Sequence, residues 1–224
     1  MCFSASVSFG AGAVLSIIGI ATVRKAETSP QFMLAVFPFF FALQQIAEGF
    51  VWLSFVSLSF AGWQSIPINF FLSFSHIIWP IWIPLCMLLL EERSRQRSIL
   101  YILLAAGIIL GIYHIFCMLL YPIITRIDGH HVQYIIADQG YLRLPANILY
   151  GLSTILPFFI SSVKRMWWMG VFILVSYIFT YLIYNAYITS VWCFFATILS
   201  VIVYYILNRQ NLRRHDPLIS NFKN

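Results

Sequence analysis

From Ser4 to Leu207 the chain is a succession of apolar runs, each close to the length at which one helix crosses a bilayer. A hydrocarbon layer of about 30 Å takes roughly 20 residues of helix. With that ruler the sequence predicts seven spans: 4–23, 32–55, 68–90, 99–121, 146–163, 166–186 and 189–207. In hydrocarbon every backbone N–H and C=O must find its partner inside the protein, and a helix satisfies this within one segment. Composition points the same way. Charged residues make up 9% of the 224, against about 25% in a soluble domain. The expected fold class is therefore all-α: a polytopic membrane protein, with a seven-helix bundle over 1–207, an outer loop at 122–145 and a basic tail at 208–224.

The net charge of +6 does not imply nucleic acid, because the basic residues sit in the short gaps between spans. Arg24 and Lys25 follow the first span, Arg93, Arg95 and Arg97 the third, Lys164 and Arg165 the fifth, and Arg209, Arg213, Arg214 and Lys223 the last. Only Arg126 and Arg143 fall on the other side. The excess of Lys and Arg marks the cytoplasmic face, which puts the N-terminus outside and the C-terminus inside. The first apolar run has no basic stretch before it and reads as a span rather than a cleaved leader. Cysteines 2, 86, 117 and 193 show neither CxxC spacing nor a disulfide framework.

Against this background, the polar residues inside the spans stand out. Glu48 is the only acidic residue within any span, and His76 and His114 are the only histidines. At 1.5 Å per residue they lie roughly 10–12 Å below the outer ends of spans two, three and four. Each has polar neighbours at helical spacing: Gln44, Gln45 and Trp52 beside Glu48, Asn69 and Ser73 beside His76, Cys117 beside His114. Ionisable groups in lipid turn toward the bundle interior and pair, so the expectation is one Glu–His–His cluster in the outer leaflet. Three uses are open to it. It could be a hydrogen-bonded packing network, a divalent zinc or iron site with His76, His114 and Glu48 as ligands, or a proton or ion relay.

Other features extend this reading. Ser4, Ser8, Gly12 and Ser16 form a small-residue stripe suited to close helix contact. Pro80, in "HIIWPIWIP", cannot bond the carbonyl of His76 and should kink the third span. If Met1 is removed, Cys2 becomes an N-terminal aminothiol, a candidate nucleophile or ligand beside Glu48. In the outer loop, "VQYIIA", "DQG" and "YLRL" suggest a short hairpin, and His130 and His131 could close over the cluster as a lid.

The segments "MCFSASVSFGAGAVLSIIGIATVRK", "QQIAEGFVWL" and "SVWCFFATILS" resemble a family of small, mostly bacterial polytopic membrane proteins that open with Met-Cys-Phe-Ser-Ala. The resemblance covers essentially the whole length. It implies a seven-span bacterial membrane protein and lends no activity. The function expected from the residues is a metal-dependent enzyme acting on a lipid or small apolar substrate, with Glu48 and Cys2 as catalytic groups and Gln44, Gln45, Trp52, Ser73 and Cys117 around them. The alternative is a proton- or ion-coupled transporter or membrane sensor using the same cluster.

Overall fold

The computed structural model describes residues 4–129, 131–136, 140–183 and 188–215. Helix α1 (Ala5–Val23) starts where the Ser4 hydroxyl accepts the Val7 N–H, a side-chain cap on an otherwise orphaned donor. Helix α2 (Ser29–Ala35) is capped in the same way by Thr28, and Gln31 accepts the Glu27 N–H at 2.8 Å. One residue separates α2 from α3 (Phe37–Val56), with Pro38 in the first turn of α3, where its missing N–H costs nothing. Together α2 and α3 make one apolar stretch long enough to cross a membrane. A short turn, α4 (Leu58–Ala61), leads into α5 (Ser65–Ser73).

Pro80 acts through the turn before it. Residues Phe74–Ile78 form a π-helical turn between α5 and α6 (Trp79–Leu90), closed by the Trp79 N–H on the Phe74 carbonyl. The extra residue in that turn absorbs the ladder bond that proline cannot make, and such bulges are a known origin of bends. Helix α7 (Ser94–Leu120) packs beside it at very short range. A Cβ on Gly107 would lie 1.9 Å from the Pro80 carbonyl oxygen, and one on Gly111 would lie 3.0 Å from Ile81 Cδ1. Helices α8 (Arg143–Ile160), α9 (Met166–Ile183) and α10 (Ile188–His215) complete the bundle.

Five stretches among the described residues are long and apolar enough to cross a membrane: Ala5–Val23, Ser29–Val56, Ser65–Leu90, Ser94–Leu120 and Arg143–Ile160. Of these, the α2–α3 stretch is the most deeply enclosed, with α1 on one side and α5, α6 and α10 around the rest. The small-residue stripe of α1 does meet α3, in a register different from the expected one. Its buried positions are Ser8, Gly12, Leu15, Gly19 and Thr22, alternating steps of four and three that keep one face on a neighbour. Gly12 sits against Ile46 and the Ala42 carbonyl, and Gly19 against the Phe39 ring.

The hairpin also departs from its expected register. Strand β1 (Ile123–Asp128) pairs antiparallel with β2 (His131–Ile136), Asp128 opposite His131. The connection therefore begins at Gly129, whose φ of 57° favours glycine, and not at the later "DQG". The β-branched run "IITRI" supplies the partner strand that "YLRL" was expected to provide, while Arg143 and Leu144 already belong to α8. The hairpin closes one end of the bundle: Val132 is fully buried, and the Tyr134 ring stacks on Phe71 at 4.9 Å.

Candidate functional site

Two apolar clusters fill the interior. One, toward the basic loops, joins residues such as Phe37, Trp79, Met87, Phe158, Met169 and Val203. The other, under the hairpin, joins Ala47, Val51, Trp52, Ile68, Phe71 and Val132. Buried polar side chains occupy the level between them: Gln44, Gln45 and Glu48 on α3, Ser75 before α6, His114 on α7, Ser153 and Thr154 on α8, and Ser176 and Thr180 on α9. Glu48 has no solvent exposure.

Much of this layer satisfies itself against its own helices. Thr154 donates to the Tyr150 carbonyl, Ser176 to that of Ile173 and Thr180 to that of Ser176. His114 Nδ1 lies 3.1 Å from the Leu110 carbonyl. Gln44 makes a bond that crosses between helices, its Oε1 accepting the Trp79 indole N–H at 3.1 Å. Burial without a partner would cost each of these groups several kcal/mol on the order of 2–7, so the arrangement reads as a packing layer that fixes α3 against α6.

The sequence-predicted residues separate accordingly. His76 and His114 do meet, ring centroids 4.8 Å apart and edge to face, and Cys117 is buried one turn beyond His114. Ser73 turns back on its own helix, donating to the Asn69 carbonyl at 2.7 Å. Trp52 and Gln45 are buried on the same helix as Glu48. His131 opens β2, while Cys2 and His130 lie outside the described residues. The metal centre fails. Among the described residues no group of three His, Cys, Asp or Glu side chains is close enough to hold an ion. The expected His76–His114–Glu48 ligand set is therefore not a zinc or iron site. The enzyme reading built on that metal falls with it, and so does a transporter or sensor reading in which the three groups together hold an ion. Counting depth from span ends located the three residues in a layer, but a shared depth leaves azimuth free, and coordination needs both.

Two features escaped the sequence reading. The first is a lateral groove of about 490 Å³ between α3, α4 and α5. Leu43, Ala47, Phe50 and Ser54 line it from α3, with Trp63 and Phe70 opposite. Its wall is almost wholly hydrocarbon; the Ser54 hydroxyl is turned onto the Val51 carbonyl at 2.6 Å. These α3 positions are spaced by three, four and seven, so they share a face. That face lies about 130° round the helix from Glu48 at 100° per residue. The second feature is a carboxylate clasp just beyond the end of α6. Glu91 Oε2 accepts the Ser162 N–H at 2.6 Å and Oε1 accepts its hydroxyl at 2.5 Å, with the Arg93 N–H on Oε1 at 3.1 Å. Burial alone would raise the Glu91 pKa, but these donors outweigh it and hold the carboxyl below its ordinary value.

Several long apolar helices enclosing a buried polar layer define a multi-pass, all-α membrane protein. The chain belongs to a family of unknown function (DUF6629), whose model matches residues 1–217. No curated protein and no solved structure matches it.

Proposed function

We propose that this protein binds a membrane lipid, with one acyl chain lying in the groove between α3 and α5. The groove carries the reading. It has the volume of a ligand pocket, within roughly 300–1,000 Å³, and its rim residues Leu43, Phe50 and Phe70 are exposed, so it opens sideways onto the medium that surrounds the spans. In a bilayer that medium is acyl chain. Ser59 on α4 and Trp63 just after it also line the groove, and tryptophan between two spans belongs at headgroup depth. An amphiphile fits such a site better than a wholly apolar solute. The buried polar layer serves this function indirectly, holding α3 rigid from behind.

The same reading takes α9 and α10 as the sixth and seventh spans of a bacterial inner-membrane protein. Its hairpin end lies outside and its basic loops and tail inside, as the asymmetry of Lys and Arg supports. The test is photolabelling in nanodiscs with a phospholipid carrying a diazirine on its acyl chain. Label should concentrate on residues 43–54 and 59–70, and Ala47→Leu, which fills the floor of the groove, should reduce it severalfold. Label spread evenly over all lipid-facing helices, or unchanged by Ala47→Leu, would refute lipid binding there.

A further inference from the structure

At the basic end, Arg165 has a φ of 74°, a left-handed conformation that L-residues with a Cβ disfavour. Its surroundings hold it there. The preceding loop is pinned through Ser162 to Glu91, and the Arg165 carbonyl accepts the Trp168 N–H at 3.1 Å. The guanidinium is carried to α10, where Arg165 Cζ lies 5.4 Å from the Tyr205 ring centroid and Nη1 lies 3.5 Å from the phenol oxygen. Arg209, one turn further along α10, brings its own Cζ to 5.5 Å from the same ring. Two cations thus share one half-exposed tyrosine.

Each cation–π contact is favourable, but the two charges repel, and among the described residues neither arginine has a carboxylate within ion-pair distance. Glu91, on the neighbouring loop, is already committed to Ser162 and Arg93. Among the described residues the site is therefore short of negative charge, while it presents two planar forks, the geometry that grips phosphate oxygens in pairs. Trp167 and Trp168 follow Arg165 directly, stacked at 4.0 Å and about half exposed, as side chains at headgroup level are.

We propose that Arg165, Arg209 and Tyr205 form a binding site for the phosphodiester of an anionic phospholipid. The site stands on residues that the groove does not use, so either can fail without the other. Detergent-purified protein is titrated with phosphatidylglycerol, phosphatidylcholine or inorganic phosphate, and bound lipid is read by native mass spectrometry beside the thermal midpoint. Phosphatidylglycerol should bind and raise the midpoint more than phosphatidylcholine, whose choline cation the two arginines repel, and equal effects of the two lipids would overturn the proposal. The pair Arg165→Gln with Arg209→Gln should weaken binding about tenfold, the loss of two charge-assisted contacts. Arg165→Lys with Arg209→Lys keeps charge and fold but loses the forks, and should weaken it severalfold. Arg95→Gln removes one charge from the same end and should change nothing. Equal binding by the lysine pair, an equal loss in Arg95→Gln, or the same midpoint rise from inorganic phosphate would each overturn the proposal.

Discussion

Gly107→Ala is the substitution on which the bundle geometry stakes most. The added methyl would stand 1.9 Å from the Pro80 carbonyl oxygen and 2.8 Å from its carbonyl carbon, where ordinary van der Waals contact begins near 3.4 Å. The obstacle is backbone, so no rotamer change relieves it. Either α7 retreats from α6 by more than 1 Å or the π-helical turn distorts. Overpacking a tight interface costs about 1–3 kcal/mol and at times more, and the direct clash with backbone argues for the top of that range. For a chain of this length, roughly 3 kcal/mol corresponds to a fall of about 6–12 °C in the unfolding midpoint. Gly111→Ala meets the end of the flexible Ile81 side chain at 3.0 Å and Ile77 Cγ2 at an ordinary 3.5 Å, and should cost far less. Gly62→Ala has nothing within 4 Å of its Cβ and serves as control. Thermal unfolding in one detergent, followed by tryptophan fluorescence, reads all three. Midpoints for Gly107→Ala and Gly62→Ala that agree within about 2 °C, less than the shift expected from 1 kcal/mol, would mean that α7 does not rest on Pro80.

Glu91→Gln should lower the midpoint at neutral pH, because an amide offers one acceptor oxygen where the carboxylate accepts from Ser162 and Arg93 on two; losing such a buried acceptor costs about 1–3 kcal/mol. Since the folded pKa lies below the ordinary carboxylate value, the wild-type advantage is complete above that value and is lost as pH falls through the lowered one. As pH is lowered from 7 the gap between the two midpoints should narrow, and a pH-independent gap would discount the charge. For Gln44 and Trp79, a double-mutant cycle with Gln44→Leu and Trp79→Phe should give a coupling of about 0.6 kcal/mol, and no more than about 1.7, the range for side-chain hydrogen bonds between membrane helices. Zero coupling would remove that bond from the account.

The membrane character was legible because hydrophobic length is a bulk property of twenty residues at a time, tolerant of errors at each end. The proximity of His76 and His114 was legible for a similar reason: both face inward and share a depth. Glu48 shared the depth as well, but the rotation of each helix about its own axis is set by contacts such as Gly107 on Pro80, which no single-span pattern reveals. The groove was hidden because Leu43, Ala47 and Phe50 look like any lipid-facing residues until α5 diverges from α3. For the hairpin, "DG" at 128–129 is a stronger turn signal than the later "DQG". Glu91 looked like half of an ordinary acidic pair between spans, since its partner Ser162 lies 71 residues away.

A band of hydrogen-bonding groups at mid-height also governs how the helices may slide. Displacing α3 along its axis by one turn, about 5.4 Å, would carry Gln44 away from the Trp79 indole and press Glu48 into one of the two hydrocarbon zones that flank the band. Uniformly greasy cylinders could accept that slip at little cost. Here the height of α3 against α6 is set at the middle of the bundle, which leaves the two ends to carry a hairpin at one and a basic rim at the other.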